Sequence, residues 1–424
     1  MARREELLVG LDVGAAKVAV VVGKSNGDDL AVLSCGFLPL ATARSAPLLA
    51  AQRRGTVVDL KATTEAIVKA VHEAELGANC GIHSVVASIG GAHVRSVNSH
   101  GVVAIKRGEV RPEDVERVLE AARALALPDD RQVLHVLPQD YVLDGQEGIL
   151  DPTGMSGIRL EARVHVVTAS VAAAQNVLGC CQGAGLGVVG LVWAPLATAE
   201  AVLTQEEKEL GVALLDFGAG TTDVLVFDRG ALRFSFSLGI GGAVVTSDVA
   251  HGLQTPFHEA EQLKVSQGCA VRDLVEAQER VEVPGVGGRP PRLVPRSELA
   301  WMIEARVEEI VQLVWEEVRK VEADRYLNCG VVLAGGGAAL PGLDVLVQRV
   351  TGQQMRVAKD VVLASDDQSE DPPAVLDGVY AGALGLLRFH LRSRGEELAP
   401  QTSAHRVFHV VKSYLREFVS ALRA

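Results

Sequence analysis

The sequence predicts an α/β protein of two domains that share a duplicated strand–turn–strand unit. Three observations support this prediction. The chain has 424 residues, which suits two domains better than one hydrophobic core. A pattern of strand, glycine turn and strand occurs twice, and segments with helical and strand periodicity alternate between and after the two copies.

The two copies of the strand–turn–strand repeat have the same layout. Residues Leu8–Val22 read as an apolar run that contains Asp12, a glycine turn and a second apolar run, and Val212–Phe227 read the same way around Asp216. Each copy is typical of two β-branched strands joined by a tight turn. A third strand is predicted after each copy, at Leu30–Phe37 and Ala231–Leu238. Because Asp12 and Asp216 are 204 residues apart, we expect two equivalent hairpin sheets.

The remaining elements follow from periodicity and end signals. Helices are predicted at Leu60–Leu76, Pro112–Ala126, Ser170–Gln182, Val244–Gly252, Pro256–Gly268 and Arg296–Ala323. Strands are predicted at Ser84–Ile89, Gly101–Ile105, Arg159–Thr168, Leu186–Ala194 and Gly330–Ala334. Gly335-Gly336-Gly337 is expected to open a helix after the last strand, and the polar stretch Arg392–Ala404 is expected to be a linker.

Composition excludes some classes of function. The formal net charge is −12, so the chain has no global positive field with which to collect nucleic-acid phosphates. The six cysteines have no disulfide-framework or zinc-ligand spacing, which is typical of a reducing cytosol. No apolar run approaches the ~20 residues that span a bilayer.

The two glycine turns have the chemistry of a phosphate site. Glycine turns offer backbone N–H donors and unobstructed approach to an anion. Gly14-Ala15-Ala16-Lys17 and Gly218-Ala219-Gly220-Thr221-Thr222 would face each other if the two domains pack as pseudo-equivalents. Asp12 and Asp216 would then face a hydrated Mg²⁺, and the later Gly335-Gly336-Gly337 would let a flat base approach the backbone. Each motif alone is typical of a hairpin or loop; the combination predicts a nucleotide site.

Several further segments carry a resemblance to a known family. They are Val9-Gly10-Leu11-Asp12-Val13-Gly14, His135-Val136-Leu137-Pro138-Gln139, Gln146-Glu147-Gly148-Ile149, Gly154-Met155-Ser156-Gly157, Val244-Val245-Thr246-Ser247-Asp248, Ala260-Glu261-Gln262-Leu263-Lys264 and Val286-Gly287-Gly288-Arg289-Pro290-Pro291-Arg292. Together they resemble the bacterial cell-division family FtsA, of the actin-like ATP-binding superfamily, over essentially the whole chain. The resemblance implies a duplicated actin-like (ribonuclease-H-like) two-domain fold with a relocated extra subdomain.

The resemblance also implies a division of the chain. The expected parts are a domain I core at 1–81 and 166–197, an inserted subdomain at 82–165, a domain II core at 198–255 and 325–391, a domain II outer subdomain at 256–324, a linker at 392–404 and an amphipathic helix at 405–424. The inserted subdomain is the part that the family uses for self-assembly and for contacts with later division proteins.

Further site residues rest on the resemblance. ATP and Mg²⁺ are the implied cofactors, with Glu261 and Lys264 near the nucleoside and Gly241 and Gly242 near the cleft. Glu261 and Lys264 have an alternative interpretation as a solvated ion pair at helical spacing, worth a few tenths of a kcal/mol. Ala15 departs from the family, which often has Thr there, so one hydroxyl contact to phosphate or to a metal-bound water is missing.

The helix predicted at Arg296–Ala323 corresponds to the region that the family offers to the tail of the filament-forming protein FtsZ. The candidate contacts are Ile303, Glu304, Arg306 and Glu309, of which Arg306 would suit an acidic tail. The alternative is a charged helix face that is simply exposed to water.

The last twenty residues, 405–424, have an apolar face and a cationic face. The apolar face comprises Val407, Phe408, Val411, Leu415, Phe418, Val419 and Leu422, and the cationic face includes Arg416. Such a helix suits an anionic lipid surface, and the family ends in a targeting helix of this kind. The alternative is a helix that packs on the protein's own core.

The nucleotide-site motifs and the terminal amphipathic segment, together with the resemblance to the FtsA family, imply an ATP-binding, self-assembling cell-division protein that tethers FtsZ filaments to the cytoplasmic membrane and recruits later division proteins. Its expected location is the cytoplasmic face of the inner membrane at the division septum, as a peripheral protein. No catalytic constellation is predicted, so it would be at most a slow ATPase. Two alternatives stay open: a small-molecule kinase with Asp223 as its catalytic carboxylate, and an actin-like pilus-assembly scaffold.

Overall fold

The computed structural model describes residues 6–26, 29–39, 52–362 and 375–398. The strands are β1 (Glu6–Val13), β2 (Lys17–Asn26), β3 (Asp29–Pro39), β4 (Gln52–Arg53), β5 (Thr56–Val57), β6 (Ser84–Ile89), β7 (Arg95–Ala104), β8 (Arg131–Leu143), β9 (Gln146–Ile149), β10 (Arg159–Ser170), β11 (Gly187–Trp193), β12 (Val212–Phe217), β13 (Thr222–Asp228), β14 (Ala231–Leu238), β15 (Arg280–Val283), β16 (Arg292–Pro295), β17 (Val331–Ala334), β18 (Met355–Val357), β19 (Asp360–Val362) and β20 (Val375–Asp377). The α-helices are α1 (Leu60–Ala78), α2 (Pro112–Arg123), α3 (Val171–Gly183), α4 (Ala194–Val202), α5 (Gln205–Leu210), α6 (Gly242–Gly252), α7 (Phe257–Gln267), α8 (Arg296–Lys320), α9 (Leu343–Thr351) and α10 (Ala381–Leu398).

Two five-stranded sheets have the same topology. Their strand orders are β11-β6-β1-β2-β3 and β14-β13-β12-β17-β18. In each sheet the first three strands in chain order form an antiparallel meander, and the parallel pairing starts from the first strand. The register is also the same, because Asp12 lies opposite Ala19 and Asp216 lies opposite Asp223. The predicted duplicated two-domain α/β fold is confirmed.

The core of the first sheet, formed with α1, α4 and α10, continues onto one face of the second sheet, where Leu214, Leu225 and Val332 belong to it. The opposite face of the second sheet has a core of its own with α6, α8 and α9. The central strands are apolar almost throughout because helices cover both faces of each sheet. Asp59 starts α1 by accepting a hydrogen bond from the amide of Ala62 at 3.0 Å.

A third sheet, β7-β10-β8-β9, forms the inserted subdomain with α2 packed on it and a core of its own. The expected bounds of this subdomain, 82–165, were wrong at both ends. Ser84–Ile89 pairs with β1 and β11 in the first sheet, whereas β10 continues to Ser170 in the subdomain sheet. Local strand propensity cannot say which sheet a strand joins, because pairing is decided by distant residues.

Strand β8 was not predicted, because Pro138 interrupts its apolar pattern. In the ladder with β10, Asp140 lies opposite Arg163 and Pro138 lies opposite Val164, so Gln139 is the extra residue of a β-bulge. Proline is tolerated in a strand at such a bulge. The bulge leaves the Gln139 side chain available for contacts outside its own sheet.

The end of the chain differs from the expected division. Residues 381–391 were assigned to domain II, but Ala383, Leu384 and Leu387 are buried in the core of the first sheet. Residues 392–398 were expected in a linker, but they continue α10. Gly395 lowers helix stability by about 1 kcal/mol without ending the helix. Gly335-Gly336-Gly337 leads into a 3₁₀ turn at Gly336–Ala339, and α9 begins only at Leu343.

Residues 399–404 and the predicted membrane helix at 405–424 lie outside the described residues. Within the part of the chain that the structure describes, no helix is both long enough and apolar enough to cross a bilayer.

Candidate functional site

A cavity of about 300 Å³ lies between the two sheets. The turn after β1 and the turn after β12 both line it, as do the carboxylates at the ends of these two strands. Parallel pairing places the ends of β6 and β17 beside them. The duplicated topology therefore brings two equivalent turns to one cleft.

The two turns have the same backbone geometry. The amide of Gly14 donates to the carbonyl of Lys17 at 2.9 Å, and the amide of Gly218 donates to the carbonyl of Thr221 at 3.0 Å. Among the described residues, the amides in the middle of each turn have no protein acceptor; they belong to Ala15, Ala16, Ala219 and Gly220. Unpaired amides that line a cavity are suited to an anion.

The turns touch at Gly220, where a side chain could not be accommodated. A Cβ at Gly220 would lie 2.6 Å from the amide nitrogen of Gly55 and 3.0 Å from the Cβ of Ala15. Gly55 is the tip of the β4–β5 hairpin, so this hairpin closes the gap between the turns. Gly336, by contrast, faces open space in the same cavity, because a Cβ added there would have no atom within 4 Å.

Asp12 is held at the end of β1 by a serine from the neighbouring strand. Ser88 donates to Asp12 Oδ1 at 2.8 Å and accepts from the amide of Val13 at 2.9 Å. Asp12 Oδ2 lies 3.9 Å from Lys17 Nζ, which also donates to the carbonyl of Val379. The carboxylate is thus fixed in the cavity wall with one oxygen toward a cation.

Asp216 and Asp223 share the opposite wall. Removal from water raises the pKa of Asp216 to about 6; a hydrogen bond from Thr198 opposes this rise and the charge of Asp12 adds to it. Burial raises the pKa of Asp223 to about 7, and the charge of Asp216 adds to that rise. Asp223 Oδ2 accepts from Thr221 Oγ1 at 2.8 Å, and Oδ1 accepts from Ser237 Oγ. The cavity is therefore unfavourable for several carboxylates without a compensating cation.

The carboxylates of Asp12 and Asp216 are the type of ligand that Mg²⁺ takes from proteins. Mg²⁺ commonly takes one or two protein carboxylates and completes its shell with phosphates and water. Asp12 and Asp216 line one cavity, and the negative charge of Asp12 contributes to the raised pKa of Asp216. Within the described residues there is no group of three or more His, Cys, Asp or Glu side chains placed to hold a metal ion.

Apolar side chains also line the cavity, namely those of Val265, Val307 and Leu340, as do the charged side chains of Glu261 and Lys264. Lys264 Nζ donates to Glu261 Oε2 at 2.7 Å, to Thr246 Oγ1 at 2.8 Å and to the carbonyl of Gly242 at 3.1 Å. The two residues form the ion pair of the alternative interpretation and also lie in the cavity wall, so the pair does not exclude a ligand role.

Most of the predicted site residues line this cavity. They are Asp12, Gly14, Ala15, Ala16, Lys17, Asp216, Gly218, Ala219, Gly220, Thr221, Gly242, Glu261, Lys264, Gly335, Gly336 and Gly337. Thr222 and Gly241 lie behind the wall, where Thr222 Oγ1 donates to the carbonyl of Ile240 and Gly241 packs against the carbonyl of Gly218.

Sequence reasoning missed lining residues that come from outside the repeat. They include Gly55, Gly90, Gly91, Thr198 and Gly382. Gly90-Gly91 follows β6, and a glycine pair after a predicted strand is a signal that could have found it. Gly382 packs against Asp12 from the distant helix α10, and the local sequence gives no sign of this contact.

The predicted partner residues on α8 differ in accessibility. Ile303 is fully buried in the domain II core, so its prediction as a direct partner contact was wrong. It lies on the apolar stripe of an amphipathic helix. Glu304 accepts from Arg349 at 2.5 Å and from the amide of Arg272 at 2.8 Å. Arg306 pairs with Asp248 and Glu309, both at 2.5 Å.

Comparison with known proteins decides the family. The family model described as "Cell division protein FtsA" matches residues 213–385, and the model described as "SHS2 domain inserted in FTSA" matches residues 91–168. The cell division protein FtsA of Pseudomonas aeruginosa is 40% identical over 400 residues, which cover 94% of this chain and 92% of the relative. The chain belongs to the FtsA family. The FtsA of Escherichia coli K12 is 39% identical over 403 residues, covering 92% of this chain and 93% of the relative.

Solved structures agree with this fold. A PilM–PilN type IV pilus biogenesis complex matches with a TM-score of 0.62 and 20% identity, covering 91% of this chain and 98% of the other. MreB5 of Spiroplasma citri bound to ADP matches with a TM-score of 0.53 and 11% identity, covering 93% and 98%. At these identities the likeness shows the fold alone, which is the actin-like two-domain fold expected for FtsA. The match at 91–168 also begins after β6, as the observed inserted subdomain does.

Proposed function

We propose that this FtsA-family chain binds Mg-ATP in the cavity between its two sheets. The observation that carries the proposal is the pair of equivalent turns, Gly14–Lys17 and Gly218–Thr221, whose middle amides have no acceptor within the described residues. Phosphates are the ligand class that two such turns accept. Lys17 adds a cation beside the first turn, and the apolar lining at Val265 and Leu340 suits a flat base.

Asp12 and Asp216 would hold the Mg²⁺ in this proposal. The cation would supply the positive charge that the carboxylates lack and would neutralise charge on the phosphates. Lys17, Ser88 and Thr198 keep the two carboxylates oriented toward the cavity. Since Ala15 offers no hydroxyl to phosphate, we expect any hydrolysis to be slow.

Nucleotide binding serves assembly in the proposed function. We propose that the chain polymerises through its inserted subdomain, tethers FtsZ filaments to the cytoplasmic membrane and recruits later division proteins at the septum. Family membership supports each of these roles. A polymer presents many C-terminal segments at once, so weak individual anchors add up to firm membrane attachment.

The FtsZ tail is proposed to dock on the exposed side of α8, near Glu304, Arg306 and Glu309. Arg306 is the cation that an acidic tail would seek. It is already paired with Asp248 and Glu309, so an incoming carboxylate would have to replace one of these partners. Because one existing ion pair of Arg306 is lost, the net binding free energy is smaller, which suits a reversible contact.

The membrane anchor is proposed at residues 405–424. The sequence supports it, because Phe408, Leu415 and Phe418 share an apolar face beside Arg416 in a chain that is acidic elsewhere. A peripheral position on the inner membrane follows from this proposal.

A co-pelleting assay tests the tether. FtsZ filaments are mixed with vesicles that contain anionic lipid, Mg-ATP and either the full chain or a chain that ends at Ala404. We expect FtsZ to sediment with vesicles only in the presence of the full chain. Phe418→Glu should abolish sedimentation, whereas the matched control Ser413→Glu places the same charge on the polar face and should weaken it less. Equal FtsZ sedimentation with the full and shortened chains would overturn the anchor.

Nucleotide binding is measured separately by titration with a fluorescent ATP analogue. We expect saturable binding that requires Mg²⁺ and that Lys17→Ala weakens. Failure to bind in the presence of Mg²⁺ would overturn the nucleotide site, whatever the result of the membrane assay.

A further inference from the structure

Strand β14 connects the cavity to the inserted subdomain. Alternate residues of a strand share one face, which on β14 holds for Ser235 and Ser237. Arg233 is the extra residue of a β-bulge, because Val226 lies opposite Phe234 and Phe227 lies opposite Leu232. Each of these three residues contacts a different group. Ser237 Oγ donates to Asp223 in the cavity wall, Ser235 Oγ lies 2.8 Å from His165 Nε2, and Arg233 Nη1 lies 3.3 Å from Asp140 Oδ2. His165 and Asp140 both belong to the inserted subdomain.

Side chains of the inserted subdomain also cover the backbone edge of β14. The carbonyl of Leu232 accepts from Gln139 Nε2 at 2.7 Å, the carbonyl of Arg233 accepts from Asn98 Nδ2 at 3.1 Å, and the carbonyl of Ser235 accepts from Ser96 Oγ at 2.8 Å. In the described residues β14 pairs only with β13, so these donors take the place of a neighbouring strand. We call this set of contacts between β14 and Ser96, Asn98, Gln139, Asp140 and His165 the β14 latch.

His165 is the buried centre of the β14 latch. Asn98 Nδ2 donates to a carbonyl, so its Oδ1 is the acceptor for His165 Nδ1 at 2.6 Å. His165 Nε2 is then left to accept from Ser235 Oγ. Burial lowers the pKa of His165 to about 4, so the ring is neutral and both nitrogens are paired. A fully paired buried network specifies one orientation of the parts it joins.

The surroundings of the β14 latch leave room for movement. A second cavity, of about 280 Å³, lies between β7 and β14. The apolar side chains of Val94, Val97, Phe234, Phe236 and Val321 line it together with polar residues of the β14 latch, which include Ser96, Asn98 and His165. The inserted subdomain is therefore joined to domain II by directional hydrogen bonds beside a cavity, and a small shift of β14 would not meet a close-packed barrier.

The geometry points to a coupling between ligand occupancy of the main cavity and the orientation of the inserted subdomain, with Asp223, Ser237 and the β14 latch as its connection. This inference rests on the proposed nucleotide site. One oxygen of Asp223 accepts a hydrogen bond from Thr221, the last residue of the second turn, and the other accepts one from Ser237 on β14. A phosphate that binds the turn and attracts the Thr221 hydroxyl changes the partners of Asp223, and Ser237 must adjust with them. Ser235 follows because it lies on the same strand face as Ser237, and Arg233 follows because it is two residues away on the same backbone, at the β-bulge of β14.

Thermodynamic reciprocity makes the coupling measurable from both ends. If the nucleotide stabilises the β14 latch, then weakening the latch must weaken nucleotide binding by the same factor. Coupling of this kind typically changes affinity about 5- to 150-fold. A single lost hydrogen bond at the rim of the latch should fall at the low end of this range.

Hydrogen exchange of the full chain tests the coupling. Amide exchange in β7, β10 and β14 is followed by mass spectrometry with and without Mg-AMPPNP, and nucleotide affinity is titrated in parallel. We expect the nucleotide to slow exchange in these strands about fivefold. Ser96→Ala, which removes the donor to the Ser235 carbonyl, should reduce this protection and weaken AMPPNP binding by a similar factor. His165→Leu is a second variant with a larger expected effect.

Ser99→Ala is the matched control, because Ser99 lies on the same strand but donates to the carbonyl of Ala122 inside the subdomain. It should leave both nucleotide-dependent protection and affinity unchanged. AMPPNP binding without any change of exchange in β7, β10 and β14 would overturn the coupling and leave the nucleotide site standing. Equal effects of Ser96→Ala and Ser99→Ala would also overturn it. Absence of AMPPNP binding would overturn the nucleotide site, and the coupling with it.

Discussion

Replacing Asp223 with Asn should remove a pH dependence of stability from the ligand-free protein. Asp223 is 4% exposed, and burial raises its pKa from 3.8 to about 7. Its folded form therefore binds a proton more tightly than its unfolded form. Such a group stabilises the fold at low pH, and this contribution is lost as the pH rises from about 4 to about 7.

The magnitude follows from the two pKa values. The full difference corresponds to about 4 kcal/mol, of which about 2 to 3 kcal/mol is lost between pH 5 and pH 8. An asparagine cannot ionise, and it keeps an acceptor oxygen for Ser237 or Thr221. We therefore expect the stability of Asp223→Asn relative to the unmodified chain to increase by about 2 to 3 kcal/mol between pH 5 and pH 8.

Urea denaturation of nucleotide-free protein at a series of pH values measures this difference. Asp129→Asn, at an exposed site on the loop before β8, is the control for removing one carboxylate. A stability difference between Asp223→Asn and the unmodified chain that stays constant within about 0.5 kcal/mol across this pH range would contradict a raised pKa for Asp223 in the folded protein. It would mean that water or a cation compensates the carboxylate in the folded state.

Three further changes test other parts of the structure. Gly220→Ala should weaken nucleotide binding at least about tenfold, because its Cβ would lie 2.6 Å from the amide nitrogen of Gly55; titration with a fluorescent ATP analogue measures this. Lys208→Met should destabilise the fold by about 3 kcal/mol in urea denaturation, because it leaves the largely buried Glu200 without its 2.9 Å partner. Gln139→Leu should destabilise it by about 1–2 kcal/mol, since a β14 carbonyl loses its 2.7 Å donor.

Each of these changes has a control on the same chain. Gly336→Ala adds a methyl group to the same cavity in open space, and equal weakening by the two glycine variants would contradict the close-contact argument. Lys61→Met and Gln182→Leu are matched substitutions at exposed helix positions. Losses of stability no larger than theirs would show that the Lys208 pair or the Gln139 hydrogen bond contributes nothing.

The part of the site that could be predicted from sequence is the part built locally. A tight turn between two β-branched strands depends on a few neighbouring residues, so both turns, their aspartates and the glycines after β17 were visible before the fold was known. Duplication made the prediction stronger, because the aspartate and the glycine turn recur in both copies, whereas an ordinary hairpin requires no second copy. The charged face of α8 was also visible, but the burial of Ile303 depends on which stripe of the helix meets the core.

The other parts of the fold and of the site depend on pairing between residues that are far apart in the chain. Local sequence patterns were sufficient to predict the two hairpin units, most helices and the residues of both turns. Only the tertiary structure showed that β6 completes the first sheet, that α10 returns to domain I and that Gly55 closes the gap at Gly220. It also showed that Gln139 and His165 attach the inserted subdomain to β14. The physical reason is that hydrogen bonds and buried contacts between residues far apart in the chain are set by the whole packed arrangement, whereas turns and helix starts are set by their immediate neighbours.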